Sequence, residues 1–189
     1  MPIHLTRWLA CLSLLVVLVA GCGTSAGPRT VSRATSTSAA SPREQESTTS
    51  FTLTGGMNAN YTLNAALPTS KLRHGHREFT IDIVSAGVSL FIVFYGYQGP
   101  GSYTLTNAAN GGDVHIGLQN GERSWDLFMQ PTASCSLNVA SETPAGSAGV
   151  DRLRGSFACP RLFSSSPAHP QQPVTLTRGS FDLAIIVES

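Results

Sequence analysis

The chain has 189 residues, with 12 lysines and arginines against 11 aspartates and glutamates, and a formal net charge of +1. From Ser50 onward, eight basic residues stand against nine acidic ones, a net charge of −1. This balance argues against a nucleic-acid partner, because proteins that bind nucleic acids usually carry a basic face. The length allows one domain with a substantial core and no need for metal or several disulfides.

The first 22 residues follow the order of an export signal. Arg7 precedes an apolar run over residues 8–19, and the small residues Ala20 and Gly21 come directly before Cys22. A helix needs about 20 apolar residues to cross a bilayer, and this run is shorter. The pattern therefore predicts a signal peptide over residues 1–21.

The end of this segment, Leu18-Val19-Ala20-Gly21-Cys22, resembles a lipobox, and over this stretch alone the chain is similar to bacterial lipoproteins. The resemblance implies cleavage between Gly21 and Cys22 and attachment of diacylglyceryl and fatty acyl groups, such as palmitate, to Cys22. Two or three acyl chains anchor a protein firmly, since each buried CH₂ contributes about 0.8 kcal/mol. A plain secretory signal with an incidental cysteine is the alternative.

Residues 22–49 are rich in serine and threonine and contain no aromatic residue. Such a segment cannot bury enough apolar surface to offset the entropy cost of ordering. We expect a disordered tether with a root-mean-square span of roughly 30 Å. It would connect the acylated Cys22 to a folded domain over residues 50–189.

The domain shows period-2 alternation of apolar and polar residues, interrupted by glycine, asparagine and proline, which predicts an all-β fold. Phe79, Ile81 and Ile83 alternate with polar residues, whereas residues 88–95 are apolar on both faces and predict a central strand. About ten short strands are expected. A single antiparallel β-sandwich is the first choice, with a jelly roll or a small barrel as alternatives.

Two turns are predicted within this domain. Asn120-Gly121, between alternating runs, supplies the positive φ angles of a type I′ hairpin turn. The run after it is expected to place Trp125, Leu127 and Met129 on one strand face. Arg178-Gly179-Ser180 is expected to separate the last two strands.

Cys135 and Cys159 are predicted to form a disulfide, because an exported protein can oxidise them and Cys22 would be acylated. Cys135 shares a strand face with Leu137, and Cys159 shares one with Phe157, so both sulfurs are expected to point into the core. A redox or metal-binding thiol pair is the alternative, but the chain has no C-x-x-C motif.

His74 and His76 form the strongest metal candidate. With Glu78 they share one face of an extended chain, and Asp113 or His115 is a candidate further ligand. The alternative is a solvated basic loop, because the neighbouring cations would repel a metal ion. Anionic head groups or cell-wall phosphate are other candidate contacts of this loop.

Four aromatic residues form a candidate ligand-binding face: Phe91, Tyr95, Tyr97 and Trp125. Phe91, Tyr95 and Tyr97 share parity along the central strand, and such rings are typical of a groove for an apolar or sugar ligand. The alternative, which we favour, is that these rings fill a core layer.

No catalytic or phosphate-binding motif is present, and the aspartates lie singly on separate predicted strands, so no acid–base pair can be argued. We therefore expect a non-catalytic protein without a cofactor. The expected role is a binding or interaction module, lipid-anchored to the cell membrane on its extracytoplasmic side, with an envelope protein, the cell wall or an apolar ligand as partner. Alternatives are a carrier of a lipid or other apolar ligand and a metal-binding envelope protein.

Overall fold

A computed structural model describes residues 45–108, 111–166 and 170–189 of the chain. The predicted signal peptide, Cys22 and the tether up to residue 44 lie outside the described residues. The described part is almost entirely β-structure, which confirms the predicted fold class. Its eleven strands are β1 (Ser47–Gly55), β2 (Ala59–Ala65), β3 (Ser70–Arg73), β4 (Glu78–Ser85), β5 (Val88–Tyr95), β6 (Gly101–Thr106), β7 (Asp113–Leu118), β8 (Arg123–Asp126), β9 (Ser134–Pro144), β10 (Val150–Ser164) and β11 (Val174–Glu188).

The two longest strands, β10 and β11, pair antiparallel along most of their length. Beyond Leu183, the other edge of β11 pairs with β3, and the last residues of β10 pair with β8. Strands β3, β4, β5, β7 and β8 are neighbours in that order. The pairings therefore close a ring of seven strands, in which β10 and β11 form one wall and the other five strands form the opposite layer.

Two further strands extend each side of the β10–β11 wall. β1 and β2 continue from β11, and β9 and β6 continue from β10. The pairing of β3 with β11 is parallel, so the sheet is mixed and not wholly antiparallel as the sequence predicted. Among the described residues, no helix has the length and hydropathy that a membrane crossing requires.

The inward side chains of both layers form one hydrophobic core. Phe181 on β11 packs against Phe79 of the facing layer, with ring centroids 6.2 Å apart, and against Phe157 on β10 at 6.5 Å. Phe157 in turn lies 6.4 Å from Phe51 on β1. These rings connect four strands, and burial of an aromatic side chain is among the largest single contributions to a core.

Cys135 on β9 and Cys159 on β10 lie within disulfide distance, with Cα atoms 4.3 Å apart, as the sequence predicted. Both are almost fully buried. Cross-linking two positions 24 residues apart restricts the unfolded chain, which stabilises the folded state by about 3.5 kcal/mol in the chain-entropy model.

The predicted turn at Arg178-Gly179-Ser180 is wrong, because β11 is continuous through it. Arg178 has a φ of 52°, and the pairing registers with β10 and β1 shift nearby, so this is a bulge within one long strand. A Cβ at Gly179 would overlap the backbone oxygen of Phe157. Glycine is needed there for close approach of the two strands, a role that a turn signal in the sequence does not distinguish.

The first strand begins at Ser47, three residues earlier than the predicted domain boundary. Ser47 and Thr49 are buried, and their hydroxyl groups donate hydrogen bonds to the carbonyl oxygens of Ala184 (3.2 Å) and Ser180 (2.9 Å) on β11. By composition Ser47 and Thr49 resemble the serine- and threonine-rich tether, but their hydroxyl groups bond to the neighbouring strand β11.

Replacing Thr49 with alanine should therefore lower the free energy of unfolding by about 1–2 kcal/mol, because a buried carbonyl oxygen loses its donor and a methyl group is lost. Thr48→Ala is the matched control, since Thr48 is exposed and its hydroxyl donates a hydrogen bond to the side chain of Asn64. Its effect should stay within about 0.5 kcal/mol. Urea denaturation of both variants measures the difference; equal effects would contradict the boundary at Ser47.

Candidate functional site

The outer face of the five-strand layer carries a row of chemically diverse side chains that the strand registers place side by side. Asp82 on β4 pairs with Phe91 on β5, which pairs with His115 on β7. His115 pairs with Asp126 on β8, and Asp126 pairs with Phe163 on β10. This outer row runs across four strands of the layer, β4, β5, β7 and β8, and ends on β10. Neighbouring strands in a sheet lie about 4.8 Å apart.

The β7–β8 hairpin brings His115 to Asp126. The turn has positive φ at Asn120 (56°) and Gly121 (93°), as predicted from that dipeptide. Pairing then proceeds from Leu118 with Arg123 to His115 with Asp126. If residues are counted outward from the Asn120-Gly121 turn, His115 falls opposite Asp126. The sequence alone therefore contains the signal for this pair.

A cluster of three titratable groups, Asp113, His115 and Asp126, lies at the centre of this face. Nδ1 of His115 lies 3.3 Å from Oδ2 of Asp126. The other oxygen of Asp126 accepts a 2.6 Å hydrogen bond from the backbone N–H of Phe128, and Oδ1 of Asp113 accepts one of 2.8 Å from Val114. The three side chains are half-buried to largely buried, so their charges are only partly screened by water.

The two carboxyl groups titrate in opposite directions. Burial, followed by the hydrogen bond to Asp126 and the negative charge of that group, raises the pKa of Asp113 to about 6. Burial also acts to raise the pKa of Asp126, but hydrogen bonds from His115, the Phe128 amide and Asp113 outweigh it and lower that pKa. Below about pH 6 the pair therefore holds one proton, which lies on Asp113, while Asp126 carries the negative charge.

This arrangement provides a donor and acceptors for hydrogen bonds to a ligand, flanked by the rings of Phe91 and Phe163. It also corrects the expectation that the aspartates stand singly on separate strands. The two carboxyl groups are close enough to interact, because each contributes to the pKa of the other.

The predicted aromatic face is divided by the structure. Phe91 is partly exposed on the outer row and Tyr95 is 43% exposed, but Tyr97 and Trp125 are buried in the core at 4% and 0% exposure. β5 ends at Tyr95, and Gly96 follows with a φ of 109°, so the strand parity does not continue to Tyr97. For Tyr97 and Trp125, the alternative to a ligand-binding face is therefore confirmed: both rings fill the core.

Tyr97 has a specific place at one end of the core. Its ring packs against Phe79 with centroids 5.6 Å apart, and its hydroxyl donates a 2.7 Å hydrogen bond to Glu142 on β9. Burial and then the interaction with Glu142 raise the pKa of Tyr97 well above its usual value. Trp125 donates its indole N–H to the carbonyl oxygen of Gln172 at 2.9 Å.

His74, Gly75 and His76 form a short 3₁₀ turn between β3 and β4, so the extended geometry predicted for the metal candidate is wrong. Arg77 has a φ of 51°, and its carbonyl oxygen accepts hydrogen bonds from the backbone of Gly96 and Tyr97. This turn removes the shared face that an extended chain would have given His74, His76 and Glu78.

Glu78, the acidic residue of the metal candidate, forms an ion pair with an arginine. Arg73 bonds to Glu78 at 3.2 Å and to Glu188 at 2.7 Å, and Lys71 bonds to Glu188 at 2.9 Å. Lys71 and Arg73 belong to β3, so these two cations lie on a strand and not in a solvated basic loop. Among the described residues, no group of three or more histidine, cysteine, aspartate or glutamate side chains has a metal-binding arrangement.

Met129 is not on a strand face with Trp125 and Leu127, because β8 ends at Asp126. Leu127 is buried, but Phe128 and Met129 are 63% and 49% exposed in the loop that follows. The Asp126 carboxylate turns the backbone here by accepting the Phe128 amide, which the alternation pattern does not reveal.

Comparisons of the chain with protein-family models, curated proteins and solved structures found no significant match.

The two carboxyl groups of the cluster should respond oppositely to substitution. The folded-state pKa of Asp113, about 6, lies above its unfolded value near 3.8, so its contribution to stability is lost as the pH rises from 4 to 6. Asp113→Asn should therefore stabilise the domain at pH 7 by about 1 kcal/mol, a value that allows for solvent screening.

Asp126→Asn is the matched variant. The lowered pKa of Asp126 means that its carboxylate stabilises the fold above its unfolded pKa and loses that effect as the pH falls through its folded pKa. This variant should be destabilised at pH 7. Urea denaturation from pH 4 to 7 measures both, and destabilisation of similar size by the two substitutions at pH 7 would contradict the shared proton.

Proposed function

We propose that this protein is a lipoprotein anchored to the cell membrane through Cys22, with its β-domain on the extracytoplasmic side as a non-catalytic binding or interaction module. The observation that carries the proposal is the lipobox-like sequence Leu18-Val19-Ala20-Gly21-Cys22 at the end of a short apolar run. The cysteine directly after two small residues distinguishes it from an ordinary secretory signal.

The Cys135–Cys159 pair supports export. Disulfides form and persist in oxidising compartments outside the cytoplasm and are rare inside it. Both cysteines are buried and at bonding distance between adjacent strands, so the fold accommodates the oxidised form without exposing either sulfur.

The position of the first strand supports a tethered domain. β1 begins at Ser47, 25 positions after Cys22. The tether that the composition predicts for this segment would span roughly 25–30 Å on average at that length, which would hold the domain clear of the lipid head groups.

A binding role is supported by the outer face of the five-strand layer. The outer row combines rings with carboxylate and imidazole groups, which can pack against a polar ligand and form hydrogen bonds to it. Tyr97 and Trp125 pack in the core, so the apolar-carrier alternative loses two of its four residues. The metal alternative loses its shared ligand face at the 3₁₀ turn.

Acyl labelling of Cys22 tests the anchor. The full-length chain is expressed in a bacterium supplied with an alkyne analogue of palmitate, and label and membrane retention are measured after fractionation. Cys22→Ser should abolish the label and release the domain from the membrane fraction. Cys11→Ser, which changes the other cysteine of the signal segment, should leave both unchanged. Label that persists in Cys22→Ser, or is absent from the natural sequence, would contradict the proposal.

A further inference from the structure

Arg161 lies on the surface where β10 approaches the loop after β8. It forms part of the wall of an open pocket of about 470 Å³, together with Gln130, Thr132, Ala133, Ser134, Pro160 and Phe163. The pocket adjoins the end of the outer row, because Phe163 belongs to both. A pocket of this volume accommodates a small ligand.

The guanidinium group of Arg161 is oriented by an aromatic ring. Its Cζ atom lies 5.0 Å from the centroid of the Phe163 ring, a cation–π arrangement that restricts the side chain. Within residues 45–108, 111–166 and 170–189, no hydrogen bond or ion pair involves this guanidinium. Its five N–H donors have the planar arrangement that matches a carboxylate or phosphate.

The other polar groups of the pocket suit an anion. Gln130, Thr132 and Ser134 contribute an amide and two hydroxyl groups, each able to donate a hydrogen bond. No acidic side chain lines the pocket within the described residues. The nearest strand partner with a negative charge is Asp126, whose oxygens are engaged by His115 and the Phe128 amide.

A second pocket, of about 410 Å³, shares Arg161 and Pro160 as its wall. It extends to Gly55, Gln172 and Thr175, and it too has no acidic lining residue in the described part of the chain. Among the described residues, Arg161 is thus the one charged side chain that lines either pocket, and a guanidinium without an acidic neighbour in the lining favours an anion.

We propose that the pocket at Arg161 binds the oxyanion group of a small soluble ligand, a carboxylate or a phosphate, through the guanidinium of Arg161 and the donors of Gln130, Thr132 and Ser134. This deepens the proposed binding role and rests on it, but it does not depend on the anchor at Cys22. Loss of acylation and loss of anion binding are separate results with separate measurements.

The test is an NMR titration of the mature chain, residues 22–189, carrying Cys22→Ser so that it stays in solution. Sodium phosphate and sodium succinate are added separately, at an ionic strength held constant with sodium chloride. The amide resonances of Thr132, Ser134 and Phe163 report on the pocket. We expect a saturable shift with at least one of the two anions, and the anion that gives it identifies the ligand class.

Arg161→Gln should weaken that binding at least tenfold, because a bidentate charge-assisted hydrogen bond is lost. Arg178→Gln removes the same charge from an exposed arginine outside both pockets and should leave binding unchanged. Dispersed amide resonances in each variant verify that it is folded. No saturable shift with either anion, or equal affinity in Arg161→Gln, would overturn the proposal.

Discussion

The fold depends on the antiparallel pairing of β10 and β11. Both strands have 15 residues, and each pairs with a partner from the opposite layer near its C-terminal end. A strand pair of this length can reach both corners of the domain, so the ring closes around one core. The close approach at Gly179 belongs to this pairing, because the backbone of Phe157 on β10 lies directly against it. The rings of Phe157 and Phe181, one from each strand, pack together in the core.

The chemistry of the outer face depends on the local register of the β7–β8 hairpin. That register makes His115 and Asp126 neighbours, and Asp113 lies on the same strand as His115. Burial and the interaction with Asp126 raise the pKa of Asp113, whereas hydrogen bonds from His115, the Phe128 amide and Asp113 lower the pKa of Asp126. Ring closure adds Phe163 of β10 to the outer row, because β8 pairs with β10.

The all-β class, the hairpin at Asn120-Gly121 and the Cys135–Cys159 pair could be predicted, because alternation, positive-φ dipeptides and cysteine parity are local signals. Ring closure and the parallel β3–β11 pair could not, because they depend on contacts between segments far apart in the chain. Alternation along β5 does not predict the position of Tyr97, because Gly96 ends the strand parity before it. Composition does not predict that Ser47 and Thr49 belong to a strand, because it does not show which hydroxyl groups bond to a neighbouring strand. The carboxylate cluster was missed although the hairpin register implied half of it.

The account proposed for this protein is an exported β-domain that is held at the membrane by acyl chains on Cys22 and stabilised by the Cys135–Cys159 disulfide. The most direct test of that central claim is the intact mass of the protein extracted from membranes of the producing cell. The account predicts a chain that begins at Cys22, carries the added mass of a diacylglyceryl group with or without a further acyl chain, and lacks the two protons lost on joining Cys135 to Cys159. An unmodified chain that begins elsewhere, or one with both thiols free, would contradict it.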